Sequence, residues 1–191
     1  ESFGSSEYIT GLLTKPRQPK SSPRLRFDQE SYLLAYQVFL ARANLDDAYA
    51  VADAAVRQLP DSLSWRERLA QVAEWSQRPT VALDNWLLLG RARNDTLAWG
   101  NVQRLSASLR DEHRSIEYFT WELRRNPSDH KTALELAKAL ERLGEPERAI
   151  EWLQQHIAAQ QGYEPINILT ELANVAERNG DPDLLVNTLA R

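Results

Sequence analysis

Residues 131–161 read KTALELAKALERLGEPERAIEWLQQHIAAQQ, and apolar side chains recur at helical spacing on both sides of Gly144. The pattern is carried by Leu136, Ala137, Leu140, Ala149 and Leu153. Two antiparallel helices can cross closely only where the side chains at the crossing are small, and large residues one turn away fill the remaining space. The stretch therefore predicts a hairpin of two helices that turns at Gly144.

Related patterns fill the chain from residue 29 onward. Alanine, leucine, glutamate, arginine and glutamine dominate, all of which favour helix, and no period-two strand pattern is present. Turn segments recur between the apolar runs, and Pro60 and Pro127 lie close to two periods of about 34 residues apart. We predict ten helices, at 29–42, 46–58, 63–76, 80–92, 96–109, 113–125, 130–143, 147–160, 165–178 and 182–191.

The offsets within 131–161 resemble those of the tetratricopeptide repeat, whose period is about 34 residues. The resemblance implies an all-α, tetratricopeptide-like α-solenoid of about five antiparallel helix hairpins that form a right-handed superhelix. One hairpin cannot bury its own apolar face, so neighbouring hairpins must stack. The predicted organisation is a proline-rich leader at 1–28 followed by repeats at 29–62, 63–95, 96–129, 130–165 and 166–191.

Two features depart from the repeat pattern. The third unit carries Gln103 and Ser106 where small and bulky apolar residues are usual, and its turn at 111–112 lacks the customary glycine. The last helix reaches Arg191 without the polar capping helix that normally ends a solenoid. We therefore expect the array to continue beyond this end.

The leader at 1–28 differs in composition from the repeats. Residues 14–23 read TKPRQPKSSP, and the three prolines predict an extended, polyproline-like connector. Two interpretations stand for the segment ahead of it. One is a mobile leader, and the other is an arm that docks on the helices through Tyr8, Ile9, Leu12 and Leu13. The chain starts at Glu1 and has no methionine, so we expect it to be processed or cut from a longer protein.

Composition excludes several classes of function. The net charge of −4 argues against a nucleic-acid partner, because phosphate binding needs a basic surface. The absence of cysteine excludes disulfides, thiolate metal sites and cysteine nucleophiles. No run of about 18 apolar residues exists, so we expect no membrane insertion by these residues.

The sequence contains no pattern associated with catalysis. His113, His130 and His156 have no partner three or four residues away, which favours surface or packing roles over metal ligation. Carboxylates such as Asp46 and Asp47 lie at turns and helix starts, where they cap backbone N–H groups. Phosphate-binding loops and nucleophile motifs are missing. We therefore predict a protein that is not an enzyme, without catalytic residues, cofactor or metal.

Tryptophans are numerous, and their positions predict two roles. Trp86, Trp99, Trp121 and Trp152 fall at or beside positions between helices, which predicts core packing. Trp75 falls late on a first helix and is predicted to face a partner.

In the tetratricopeptide family the first helix of each hairpin lines a concave groove. The corresponding residues here are polar and mixed in charge, which suits an extended peptide or the surface of a partner protein. An ordinary solvated face is the alternative interpretation. The predicted partner-binding residues are Gln37, Glu67, Arg68, Gln71, Trp75, Asn101, Arg104, Lys131, Glu135, Lys138, Asn174 and Arg178.

The degenerate repeats, the many tryptophans and the proline-rich leader resemble the periplasmic repeat region of Pel-type exopolysaccharide export outer-membrane proteins. The stretch at 27–62, FDQESYLLAYQVFLARANLDDAYAVADAAVRQLPDS, carries this resemblance best. It implies a periplasmic scaffold in biofilm polysaccharide secretion that recruits a polysaccharide deacetylase or hydrolase, or guides polymer to a pore. The alternative is a generic cytoplasmic adaptor. Binding of chaperone tails is disfavoured, because Leu33 and Gln37 replace the lysine–asparagine clamp that such modules carry.

Overall fold

The computed structural model describes residues 28–159 and 166–190, and every regular element within them is an α-helix. The helices are α1 (Gln29–Ala41), α2 (Leu45–Gln58), α3 (Leu63–Trp75), α4 (Pro79–Arg93), α5 (Thr96–Leu109), α6 (Glu112–Arg125), α7 (His130–Arg142), α8 (Pro146–Ala159), α9 (Ile166–Arg178) and α10 (Pro182–Leu189). The predicted boundaries within the described residues are confirmed to within one residue, except that α10 ends at Leu189 instead of 191. The predicted boundaries at 160 and 165 lie outside the described residues. The proposed docking arm at Tyr8, Ile9, Leu12 and Leu13 lies outside the described residues. None of these helices has the length and apolar character needed to cross a bilayer.

The helices form a ladder of hairpins. Each helix packs chiefly against its neighbours in sequence, and α7 also contacts α9. The odd-numbered helices are the first helices of the hairpins and the even-numbered helices are the second. This arrangement confirms the predicted all-α solenoid, in which every hairpin covers the apolar face of the next.

The alanines predicted at helix crossings are buried. Ala137 on α7 and Ala149 on α8 are inaccessible to solvent and share one core cluster with Leu136 and Leu153. Comparable clusters join α1 to α3 and α3 to α5. A small side chain at the crossing lets the helix axes approach, and the leucines beside it fill the space between hairpins.

Helix ends follow local side-chain chemistry. Backbone N–H groups in the first turn of a helix donate hydrogen bonds to the preceding side chains of Asp28, Asn44, Asp95, Asp111, Asp129 and Asp181. Gly144 ends α7 with a φ of +78°, a left-handed conformation that glycine adopts without steric penalty.

The third unit forms despite its unusual residues. Ser106 is fully buried and its hydroxyl accepts a hydrogen bond from Ser115 at 3.0 Å, so a polar pair takes the place of an apolar contact. Gln103 is exposed to solvent. Arg110 adopts a φ of +54° at the end of α5, the same left-handed conformation that Gly144 and Gly180 adopt after α7 and α9. The departures from the repeat pattern therefore alter the packing without breaking the hairpin.

The tryptophans divide between core and surface. Trp86 and Trp99 are buried, which confirms their predicted core role, and Trp121 and Trp152 are half-buried and pack against core clusters. Trp75 is 53% exposed, as expected for a residue that faces outward. Trp65 is completely buried between the rings of Tyr32 and Tyr36.

Candidate functional site

The twelve residues predicted to bind a partner lie on five successive first helices. Gln37 is on α1, four residues are on α3, two on α5, three on α7 and two on α9. The exposed members are Gln37, Trp75, Arg104, Lys131 and Arg178; the half-buried members are Glu67, Arg68, Gln71, Asn101, Glu135, Lys138 and Asn174. We call this set the first-helix face, and its role in binding stays a prediction.

Several charged residues of the first-helix face already have partners in neighbouring helices. Arg104 on α5 donates to Glu74 on α3 at 2.5 Å and to Asn101 at 3.0 Å. Glu67 pairs with Arg93 at 2.8 Å. These contacts hold side chains in place between adjacent helices. Less side-chain conformational entropy is therefore lost when a partner binds.

Arg178 closes a similar link between the last two hairpins. Its Nε and Nη2 donate to the two carboxylate oxygens of Glu141 at 3.0 and 2.8 Å, and Nη2 also reaches Glu171 at 3.1 Å. The hydrogen bond to Glu141 raises the pKa of the Arg178 guanidinium above its ordinary value. A bidentate pair of this kind fixes the orientation of the guanidinium as well as its distance from the carboxylate.

The Arg178 link lies in a cleft of about 510 Å³ between α7 and α9. Its lining residues are Lys138, Glu141, Arg142, Glu171 and Arg178. The structure therefore brings together Lys138 and Arg178 of the predicted set, whereas Gln37, Trp75 and Lys131 are not part of this cleft. Lys138 and Arg142 also pair with Glu135 and Glu112, so all three cations of the cleft have partners. The cleft therefore offers oriented hydrogen-bonding groups to a polar partner segment.

Sequence reasoning missed Glu74, Glu141, Arg142 and Glu171. A usable signal was present, because Glu74 and Arg104 lie 30 residues apart, as do Glu112 and Arg142. A separation close to the repeat length places two residues at equivalent heights on neighbouring hairpins. Searching for opposite charges at that separation would have found these pairs.

Two members of the predicted set act within the fold. The Arg68 guanidinium lies 4.9 Å from the ring centre of Trp65, and the backbone carbonyl of Arg68 accepts a hydrogen bond from the Tyr36 hydroxyl at 3.3 Å. The Arg68 guanidinium is therefore committed in part to packing on an aromatic ring. Trp75, Lys131 and Gln37 remain the exposed contact candidates of this face.

The structure joins two histidines that are far apart in sequence. Nδ1 of His130, at the start of α7, lies 3.1 Å from Nε2 of His156 on α8. His156 is buried, and burial lowers its pKa, with the nearby His130 acting in the same direction and the Asp129 carboxylate opposing it. Among the described residues, no group of three or more potential metal ligands forms. The pair is a packing contact that links α7 to α8, and local spacing could not reveal it.

The buried histidine predicts a pH dependence of stability. Because the folded pKa of His156 lies below its unfolded value of about 6.5, the unfolded chain binds more protons as the pH falls through that range. We expect stability to decline as the pH falls below about 7, and His156→Gln to reduce this decline. Urea denaturation at several pH values measures it. His113→Gln, at an exposed histidine on α6, is the matched control, and an equal effect of both variants would contradict the assignment.

Comparison with known proteins supports the repeat assignment. A family model for the tetratricopeptide repeat matches residues 108–164, which contain α6, α7 and α8. No curated protein matches the sequence significantly. Among solved structures, the complex of Naa15/Naa10 bound to HypK-THB is similar, with a TM-score of 0.65 and 15% identity over 81% of this chain and 24% of that chain.

Two further structures are similar at lower scores. The MamA protein has a TM-score of 0.44 and 14% identity, covering 84% of this chain and 87% of that one. A tetratricopeptide repeat protein from Parabacteroides merdae has a TM-score of 0.43 and 13% identity, covering 83% of this chain and 63% of that one. The ladder of hairpins, the buried alanines at their crossings and the matching family model agree. The fold of this chain is a tetratricopeptide-like solenoid.

Proposed function

We propose that this chain is a non-catalytic scaffold that binds a partner protein along its first-helix face. The observation that carries the proposal is the cleft of about 510 Å³ between α7 and α9, where paired charges stand in fixed positions on adjacent hairpins. Tetratricopeptide folds generally serve protein–protein interaction, and the similar Naa15/Naa10 structure was solved bound to HypK-THB. Trp75 adds an exposed aromatic side chain to the same series of helices.

The more specific proposal places the scaffold in a Pel-type exopolysaccharide secretion apparatus of the bacterial periplasm. Its support is the sequence resemblance carried by residues 27–62 and the proline-rich leader. In that setting the partner is a periplasmic polysaccharide deacetylase or hydrolase, held close to an outer-membrane pore. A generic cytoplasmic adaptor is the competing function, and fractionation of cells that express the full-length protein separates the two.

A binding measurement with the purified chain tests the scaffold. We expect immobilised chain to retain the deacetylase or hydrolase of the secretion system, and Trp75→Ala to weaken binding by about tenfold or more, since exposed aromatic anchors dominate interface energies. Lys138→Glu should weaken it as well, through a reversed charge in the cleft between α7 and α9. Arg57→Glu reverses a charge on the second helix α2 and should leave the affinity unchanged, because its side chain is 74% exposed away from this face.

The outcomes test the secretion role and the location of the binding surface separately. If the folded chain does not bind the enzyme, the secretion role is wrong. If it binds but Trp75→Ala and Lys138→Glu match Arg57→Glu, then the first-helix face is not the binding surface.

A further inference from the structure

Two adjoining clefts lie on the opposite set of helices. The first has a volume of about 390 Å³ and lies between α4 and α6; the second has about 260 Å³ and lies between α6 and α8. Ile116 and Thr120 on α6 line both clefts. The two clefts therefore form one groove that crosses α6, and we call it the second-helix groove.

The floor of the first cleft is built by tight aromatic packing. Trp99 lies against the backbone of Gly90, and a Cβ atom at residue 90 would stand 3.0 Å from the Trp99 ring. Trp121 stacks on Trp99 with ring centres 5.2 Å apart, and its Nε1 donates to the Asn94 side chain at 2.5 Å. Because these contacts are mutually dependent, the cleft is formed before any ligand arrives, which lowers the cost of binding.

The charges at the cleft are unbalanced. Arg91 and Glu117 neutralise each other through hydrogen bonds of 2.6 and 3.1 Å. Arg124 in the last turn of α6 lines the same cleft, is exposed, and makes no ion pair with any residue in 28–159 or 166–190. Its guanidinium offers several N–H donors in a planar fork, which matches a carboxylate.

The aromatic geometry of the first cleft disfavours a sugar. Stacking of a sugar needs a free tryptophan face, yet Trp99 covers one face of Trp121 and the Arg125 guanidinium lies 4.7 Å from its ring centre. Trp99 itself is only 4% exposed. The ring edges and Ile116 provide apolar walls instead, and a cleft of about 390 Å³ is large enough to accept an apolar side chain.

We infer that the second-helix groove binds an extended acidic peptide segment of a partner protein. An apolar side chain of the segment enters the first cleft beside Trp121 and Ile116. A neighbouring carboxylate pairs with Arg124, and the segment continues over Thr120 into the second cleft. This site is distinct from the first-helix face, so the scaffold has a second surface for protein recognition.

A displayed library of random dodecapeptides tests the groove. Sequences are selected on the native chain and counter-selected on Thr120→Tyr, which fills the point where the two clefts meet without adding a charge. We expect enriched peptides to carry an apolar residue flanked by aspartate or glutamate. No enrichment, or enrichment of basic sequences, would overturn the inference.

The best enriched peptide is then synthesised and titrated by fluorescence anisotropy. Arg124→Glu should lower its affinity by about tenfold or more, whereas Arg57→Glu, the same reversal on α2, should leave it unchanged. Trp75→Ala on the first-helix face should also have no effect, which separates this site from the proposed function. Equal losses for both arginine variants would refute the site, as would displacement of the peptide by chito-oligosaccharide. Circular dichroism checks that each variant is folded.

Discussion

Replacing Trp65 by alanine is expected to lower the free energy of unfolding by about 3–5 kcal/mol, the largest effect of any single substitution considered for this chain. Trp65 is inaccessible to solvent, and its ring meets the edges of Tyr32 at 6.1 Å and Tyr36 at 5.9 Å. Removing the indole leaves a cavity between α1 and α3 and takes away both aromatic contacts. Urea denaturation followed by far-ultraviolet circular dichroism measures the loss.

Two control variants identify the cause of this loss. Trp75→Ala makes the same chemical change at a side chain that is 53% exposed, so it should cost much less. Trp65→Phe keeps an aromatic ring and removes an indole N–H that is buried without an acceptor among the described residues, so its cost should also be well below that of Trp65→Ala. If Trp65→Ala and Trp75→Ala destabilised the chain equally, burial of Trp65 would not explain the result.

The second large effect is expected from enlarging an alanine at a helix crossing. Ala149 on α8 is completely buried among Leu136, Ala137 and Leu153. Ala149→Leu adds volume where the α7 and α8 axes approach, and overpacking of this kind costs about 1–3 kcal/mol. The measurement is again the free energy of unfolding in urea.

Ala158→Leu provides the matched control for this substitution. Ala158 lies on the same helix, receives the same side chain and is exposed, so the change should be close to neutral. A fully tolerated Ala149→Leu would mean that α7 and α8 do not need a small residue to pack. That outcome would undermine the reason given for the repeat pattern.

The pattern of apolar and turn residues predicted helix positions well because both signals are local. Alanine and leucine at helical spacing defined the helix interiors, and residues such as Asp129 and Gly144 marked their ends. Capping depends on atoms within a few residues, so the sequence contains the information needed. The same reasoning applied to Trp75, whose late position on a first helix indicated exposure.

The contacts between hairpins could not be read from local patterns. His130 and His156 lie 26 residues apart, and the three-or-four-residue spacing used to judge them missed their contact. Arg178 was assigned to a partner-binding face without the Glu141 and Glu171 side chains that hold it. Each of these pairs depends on how far one hairpin is rotated and shifted against the next, which local periodicity does not specify.

The sequence by itself determined that the chain is helical, where each helix begins and ends, and that small residues allow neighbouring helices to cross. These properties follow from backbone propensity, capping and side-chain volume, all of which act over a few residues. Only the tertiary structure decided which charges are paired, that Trp121 covers Trp99, and that Ile116 and Thr120 connect two clefts across α6. Those features arise from the relative placement of stacked hairpins, because interactions between separate repeats form only after each hairpin has packed against its neighbour.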